Sequence, residues 1–121
     1  MLDVFNIIAI GQCGCRIAKM FDNLGHTVYY VNSDTVDMRD LDVPKKRILM
    51  LGATGSGRSP QKGKEILKQN FEKFTRFMDA NLVKNRLNVF IIGLGGGTGG
   101  GMITSAVDYA KEKDCRVGVL A

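Results

Sequence analysis

The chain has few of the features that mark a membrane, secreted or disulfide-bonded protein. Its longest apolar runs, VFNIIAI and NVFIIGL, are far shorter than the roughly 20 residues that a membrane-spanning helix needs. No charged and then apolar leader with a small-residue cleavage site opens the sequence, so we do not expect secretion. The three cysteines are an odd number at spacings that do not form a disulfide framework. These absences favour a cytoplasmic protein in a reducing compartment.

Signatures of catalysis and of nucleic-acid binding are also scarce. No catalytic dyad is visible around the single histidine, His26, which we expect to be solvated in a turn. Residues 45–86 carry eleven Lys and Arg against three acidic residues, a local charge of +8 that could attract phosphate, nucleic acid or an acidic partner. No aromatic residues interleave with these bases as a stacking platform requires. We therefore expect a solvated helix face and no direct binding of nucleic acid.

The sequence does contain an alternation of apolar strands and amphipathic helices. Apolar runs without polar alternation are typical of parallel strands buried on both faces, and they cover 4–10, 27–32, 47–51, 87–93 and 116–120. Helical spacing of apolar residues predicts three core-facing stripes: Ile17, Ala18, Phe21 and Leu24, closed by Gly25; Leu67, Phe71, Phe74, Met78 and Leu82; and Met102, Ile103, Ala106, Val107 and Ala110. The pattern predicts one α/β domain, a Rossmann-like parallel sheet with helices on both faces.

Three glycine-rich stretches fall at the carboxyl ends of the predicted strands, where such sheets bind ligands. GQCGCR follows the first strand, GATGSGRSP the third and GLGGGTGGG the fourth, and seven of the fifteen glycines lie within residues 93–102. A glycine loop that opens a helix offers backbone N–H groups and the positive end of the helix dipole to phosphate oxygens. The sequence therefore predicts a phosphate site, with the Thr98 hydroxyl as a helix cap or phosphate ligand.

Two familiar phosphate motifs match only in part. GATGSGRS has the spacing of a P-loop, but Arg58 replaces the lysine and Pro60 starts the next helix too late. Residues 11–16 follow a strand as a dinucleotide fingerprint does, but Cys13 and Arg16 occupy the positions of its second and third glycines. A dinucleotide-binding Rossmann domain of an oxidoreductase is the alternative hypothesis. Such a domain has little need of a second phosphate cradle after its fourth strand.

The segments GQCGCRIA, VNSD, GSGRSPQKG and GLGGGTGGG together resemble, in order and spacing, the first four nucleotide loops of the tubulin/FtsZ superfamily of GTPases. GGGTGGG differs by one residue from the family signature GGGTG[ST]G, and the third loop resembles those of FtsZ and of plasmid or phage TubZ proteins. The resemblance covers essentially the whole chain. It implies a GTP-binding domain of a cytoskeletal GTPase that polymerises head-to-tail into filaments, for cell division or for plasmid or phage DNA positioning.

The same resemblance implies the residues that bind GTP or GDP. Gln12 would lie near the Mg²⁺ shell, the third loop would sense the γ-phosphate, and the fourth would cradle the phosphates. Gly100 stands where the signature has a hydroxyl residue, which removes a possible phosphate hydrogen bond. The implied nucleotide-binding residues are Gly11, Gln12, Cys13, Gly14, Cys15, Asn32, Ser33, Asp34, Gly55, Ser56, Gly57, Arg58, Ser59, Gly95, Gly96, Gly97, Thr98, Gly99 and Gly100.

In the superfamily, the base-reading segments, the long central helix and the second domain follow these loops, as does the acidic loop that completes catalysis on the next subunit's nucleotide. We therefore expect residues 1–121 to be the N-terminal part of a GTP-binding domain that binds nucleotide without hydrolysing it. The implied partners are other copies of the protein in filaments, with a DNA-binding adaptor as a further candidate. A nonenzymatic assembly or DNA-segregation module that uses the basic middle is a third hypothesis.

Overall fold

The unbroken apolar runs of the sequence form five parallel strands of one sheet in the computed structural model. The structure describes residues 5–32, 43–51, 68–92 and 97–120, and for Gln12, Cys13 and residues 97–102 the backbone alone. The strands are β1 (Phe5–Ile10), β2 (Thr27–Asn32), β3 (Ile48–Met50), β4 (Leu87–Ile92) and β5 (Arg116–Leu120). The helices are α1 (Gly11–Asn23), α2 (Phe71–Asn81) and α3 (Gly97–Glu112), and a short 3-10 helix (Lys45–Arg47) precedes β3. The predicted fold class is confirmed, and each predicted strand end lies within one residue of the observed one.

The strand order β3-β2-β1-β4-β5 places the first and fourth strands side by side at the centre of the sheet. Ile10 at the end of β1 pairs with Val31 of β2 on one side and with Ile92 of β4 on the other. From β1 the chain crosses to β2 in one direction, and from β4 it crosses to β5 in the other. The connections therefore diverge between β1 and β4, which makes this position the topological switch point of the sheet.

Two apolar layers cover the two faces of the sheet. Side chains of successive strand residues alternate between the faces, so each layer receives every second residue. The first layer contains Ile8, Ile10, Phe90 and Ile92 with Phe74 and Met78 of α2 and Ala106 and Ala110 of α3. The second contains Ile7, Ala9, Val28 and Ile91 with Cys15 and Ala18 of α1. Helix α1 thus lies on one face, while α2 and α3 lie on the other, as right-handed crossovers in opposite directions require.

The predicted core stripes are correct at their centres, but three of their described residues are exposed. Ala18 is fully buried, but Ile17 is 36% and Leu24 67% exposed, because α1 contacts the sheet through a narrower strip than the stripe assumed. In α2, Phe74 and Met78 are buried while Phe71 is 48% exposed. These three side chains therefore face solvent, whereas Leu82 at the end of the α2 stripe packs against the core as predicted.

Helix α1 ends through glycine, as the sequence predicts. Gly25 has a φ of 99°, in the left-handed region that favours glycine. Its N–H donates to the Asp22 carbonyl at 2.9 Å, and the His26 N–H donates to the Phe21 carbonyl at 3.0 Å. This pair of bonds is a Schellman motif, which satisfies two of the last carbonyls of the helix.

Helix α3 ends in the same way without a glycine. Asp114 has a φ of 64°, and no other non-glycine residue in the described part of the chain has a positive φ. The Asp114 N–H donates to the Lys111 carbonyl at 3.0 Å, and the Cys115 N–H donates to the Ala110 carbonyl at 3.1 Å. The sequence carries no glycine signal at this position, so this cap was not predicted.

Buried asparagines join the strands at the amino edge of the sheet. The Asn6 amide nitrogen donates to the Asn88 side-chain oxygen at 2.9 Å and to the Asn81 carbonyl at 2.8 Å. The Asn88 amide nitrogen donates to the carbonyls of Val83 at 2.8 Å and Arg116 at 3.1 Å. These bonds satisfy both amide nitrogens and the Asn88 oxygen, and they link β1 to β4, β5 and the end of α2. The Asn6 Oδ1 atom is buried without a hydrogen-bond partner among the described residues.

The histidine is half-buried, whereas the sequence suggested a solvated residue. The His26 ring lies 6.1 Å from the Phe5 ring and 5.9 Å from the Phe21 ring, and its Nδ1 atom is buried. It is held there because the tight turn after α1 returns the chain directly beneath that helix. Within the described ranges, none of the helices combines the length and the apolar character needed to cross a membrane.

Candidate functional site

Two helices start at the carboxyl edge of the sheet, on either side of the switch point. Helix α1 begins at Gly11, directly after β1, and α3 begins at Gly97, shortly after β4. The ends of these strands are neighbours, since Ile10 pairs with Ile92. Although α1 and α3 lie on opposite faces of the sheet, they approach each other. Their N-termini therefore meet at the edge where open α/β sheets bind ligands.

The start of α1 is free of capping side chains. Gly11 has a φ of 83°, which lets the chain turn from β1 into the helix without a linker. The N-cap residue is Ile10, whose side chain makes no capping hydrogen bond, and the first turn of α1 contains no acidic residue. The first turn of α3 contains none either. The positive ends of both helix dipoles are therefore not neutralised by a carboxylate of their own first turns.

Gly14 brings α1 into backbone contact with β4. A Cβ atom at this position would overlap the Ile91 carbonyl oxygen and would lie 3.1 Å from Ile92 Cα. Any larger residue must therefore push α1 away from the end of β4. This is the role that a glycine plays where a phosphate-binding helix packs closely on a strand.

Cys15 anchors the opposite side of the same helical turn. Its side chain is 1% exposed, and its Sγ atom lies 3.8 Å from the Val31 carbonyl oxygen and 4.0 Å from that of Ala9. These carbonyls belong to β2 and β1, one residue before each strand ends. Asn32, the last residue of β2, is 2% exposed at the same edge, and its carbonyl accepts the Leu51 N–H at 2.8 Å.

The structure therefore brings part of the predicted nucleotide site together. The segments at the carboxyl edge are residues 11–15, Asn32 and residues 97–100. The other predicted residues, Ser33, Asp34, Gly55 to Ser59, Gly95 and Gly96, lie outside the described residues, and their place at the site stays a prediction. Among the described residues, no three His, Cys, Asp or Glu side chains gather into a metal site.

A partly buried polar cluster holds α1 on the sheet and was not found from the sequence. The Tyr30 hydroxyl donates to Asp22 Oδ2 at 2.8 Å, and Arg47 Nη1 lies 3.9 Å from Asp22 Oδ1. Burial raises the pKa of Tyr30 above its ordinary value, and the hydrogen bond to Asp22 raises it further. Tyr30 sits inside an apolar run, so no sequence signal marks its partner. The cluster joins β2, α1 and the 3-10 helix and supports the fold around the site.

An apolar groove of about 350 Å³ lies on the α1 face of the sheet, along β4 and β5. Its lining includes Phe5, Phe21, Val89 and Gly118. It offers neither a helix start nor a glycine-rich loop, so it does not coincide with the predicted phosphate site.

Known proteins with similar sequences are tubulin-like. The chain is 30% identical over 115 residues to the tubulin-like protein CetZ of Pyrococcus abyssi. This alignment covers 88% of this chain and 32% of that protein. The CetZ of Pyrococcus horikoshii is 29% identical, with the same shares covered. The chain thus spans about a third of the length of the curated relatives it matches. No protein-family model matches the chain.

Solved structures of the same fold come from TubZ and CetZ proteins. TubZ of Clostridium botulinum phage c-st superposes with a TM-score of 0.83 at 18% identity, covering 98% of this chain and 41% of that one. CetZ from Methanosaeta thermophila superposes with a TM-score of 0.77 at 22% identity, and the superposition covers 96% of this chain and 36% of that one. TubZ from bacteriophage PhiKZ superposes with a TM-score of 0.78 at 16% identity, and the superposition covers 97% of this chain and 40% of that one. The solved structures show the fold, and the curated sequence relatives favour the tubulin-like interpretation over the oxidoreductase alternative.

Proposed function

Because this chain belongs to the tubulin/FtsZ superfamily, we propose that it binds GTP or GDP at the carboxyl edge of its sheet, as the N-terminal part of a filament-forming GTPase. The observation that carries the proposal is the meeting of two helix N-termini at the switch point, one of them without a side-chain cap. The choice of guanine rests on the superfamily and not on a base-reading contact.

The backbone of the two helix starts supplies what a nucleotide's phosphates need. The N–H groups of the first turn of α1 and of α3 have no partner within their own helices, because the first four N–H groups of a helix never do. Phosphate oxygens accept hydrogen bonds from such groups, and both helix dipoles favour the negative charge. Glycine at positions 97, 99 and 100 leaves the α3 backbone open to close approach.

Gln12 is the residue that we propose for the Mg²⁺ shell. It is the second residue of α1, at the carboxyl edge, and its amide oxygen is a hard ligand of the kind that Mg²⁺ accepts. When bound, Mg²⁺ would neutralise charge on the nucleotide's phosphates, as in other phosphoryl-transfer enzymes. The protein residues would bind and orient the phosphate chain.

We propose that this chain binds nucleotide but does not hydrolyse it alone. Hydrolysis requires a positioned water molecule in addition to a charge cradle. Asp34 is the one carboxylate within or beside the four predicted loops. In the longer protein, the acidic groups of an adjoining subunit would activate the water as filaments assemble. A cytoplasmic location and a role in cell division or DNA positioning belong to the same proposal.

Calorimetry with the 121-residue chain tests the nucleotide site. We expect GDP to bind and NAD⁺ not to bind. Thr98→Pro removes one N–H donor from the first turn of α3, where proline is tolerated, and should weaken GDP binding about tenfold. The control Lys84→Ala, at an exposed position before β4, should bind as the wild type does.

The same samples test turnover. We expect no phosphate release from GTP by the wild-type chain over hours. Steady release that Thr98→Pro abolishes would place the catalytic group within these residues and contradict the proposal. Equal GDP affinities of wild type, Thr98→Pro and Lys84→Ala would contradict the proposed site, and preferential binding of NAD⁺ would favour the oxidoreductase alternative.

A further inference from the structure

The first turns of α1 contact β4 on one side and β1 and β2 on the other. On one side, Gly14 touches the backbone of β4 at Ile91. On the other side, the next residue, Cys15, packs its thiol against the carbonyls of Ala9 and Val31. Two consecutive residues thus fix this turn relative to β4, β1 and β2, the three strands that border the proposed nucleotide site.

The Cys15 side chain cannot be a nucleotide contact in this arrangement. It is 1% exposed, and its Sγ atom lies beneath the helix, within 4.0 Å of two strand carbonyls. A thiol is a weak donor, and a carbonyl has two lone pairs, so the S–H group can donate to either oxygen in addition to the sheet's own bonds. The thiol therefore connects the start of α1 to the carboxyl ends of β1 and β2.

We infer that Cys15 is a positioning residue for nucleotide binding: its thiol holds the start of α1 on β1 and β2, so that the N-termini of α1 and α3 keep the separation that the phosphates require. The inference rests on the proposed function, because it assigns a support to that site. It predicts that the donor at position 15 matters for affinity even though no ligand atom touches it.

Three single variants separate positioning from general stability. Cys15→Ser keeps a donor of similar size, whereas Cys15→Ala removes the donor. Cys115→Ala is the matched control, because Cys115 is also buried, at 9% exposure, but lies at the amino edge, with its Sγ 3.7 Å from the Lys113 carbonyl. Calorimetry with GDP gives the affinity, urea denaturation gives the stability, and amide hydrogen exchange reports the start of α1 without any ligand.

We expect Cys15→Ala to weaken GDP binding about twofold to threefold, the factor at the lower end of the range for one lost hydrogen bond, because a thiol is a weak donor. It should also speed amide exchange at residues 14–16 but not in α2. Cys15→Ser should restore both readouts to nearly wild-type values, and Cys115→Ala should change the stability alone. GDP affinity of Cys15→Ala equal to that of the wild type, or Cys15→Ser binding as weakly as Cys15→Ala, would overturn the inference. Failure of the wild type itself to bind GDP would instead refute the proposed function, while the exchange rates would still test the positioning role.

Discussion

Gly14 is the residue at which close packing and the proposed chemistry depend on each other. We expect Gly14→Ala to destabilise the fold by about 1–3 kcal/mol, because the new methyl group collides with the Ile91 carbonyl and displaces α1. The same displacement should weaken GDP binding. Urea denaturation and calorimetry measure the two effects.

A matched glycine exists for comparison. A Cβ at Gly118 in β5 would meet only the Leu87 and Val89 side chains, at 3.7 to 3.9 Å, which is ordinary contact. Gly118→Ala should therefore leave stability unchanged or slightly raised, since alanine loses less entropy in a strand. Equal destabilisation by both substitutions would contradict the close approach of α1 to β4.

Tyr30 and Tyr109 make the stability of the fold sensitive to alkaline pH. Burial and the bond to Asp22 raise the pKa of Tyr30, and the hydrogen bond to Asp79 raises the pKa of Tyr109 to about 12. Both groups thus bind protons more tightly in the folded chain than in the unfolded one, where a tyrosine has its ordinary pKa of about 10. Stability that is complete below pH 10 is therefore lost as the pH rises above that value.

Tyr30→Phe tests this dependence. At neutral pH the variant should lose about 1–2 kcal/mol, since Asp22 loses a buried donor. Above pH 10 its free energy of unfolding should fall less steeply than that of the wild type. Urea denaturation at a series of pH values measures both effects, with Tyr29→Phe as the control. A slope identical to the wild type's would show that Tyr30 does not carry the dependence.

At the scale of elements, the two Schellman caps differ only in the residue that takes the left-handed conformation. Gly25 accepts it without strain, whereas Asp114, with a φ of 64°, holds its Cβ against the backbone. Asp114→Gly should therefore stabilise the chain by about 0.5–1 kcal/mol. Gly25→Ala should destabilise it by a similar amount, and thermal unfolding monitored by circular dichroism measures both. Destabilisation by Asp114→Gly would mean that the aspartate side chain contributes more than its backbone strain costs.

The elements were predictable where one local pattern decides them. Residues 27–32 form β2 as predicted, because a strand buried on both faces leaves an unbroken apolar run. Residues 116–120 form β5 at the predicted bounds, but the expectation that this strand is buried on both faces is wrong, since Val119 is 51% and Leu120 45% exposed at the edge of the sheet. Gly11 and Gly97 begin helices as the glycine loops indicated. The exposure of Ile17 and Leu24 was not predictable, because helical spacing does not report how wide a contact the sheet offers. The Tyr30–Asp22 bond was equally hidden, since it depends on how α1 is seated on β2.

At the scale of the whole molecule, the convergence of the glycine loops followed from topology alone. Parallel strands end at one edge, so loops after β1 and β4 had to meet once these strands became neighbours. Sequence reasoning could not supply the contacts that fix their spacing, such as Gly14 on Ile91 and the Cys15 thiol on Val31. Those depend on the exact height of α1 above the sheet, which local patterns do not encode.

The strand order also constrains how the chain can reach its folded state. Asn6 and Asn88, which bond across the central pair of strands, are 82 positions apart in the sequence. A loop of that length must close before β1 and β4 can pair. Closing it lowers the conformational entropy of the chain before the stabilising contacts between the strands have formed. We expect refolding on a timescale of about milliseconds to seconds, slower than the formation of helices. In stopped-flow experiments, the capacity to bind GDP should appear with this slow phase, because the phosphate edge does not exist until the two central strands have met.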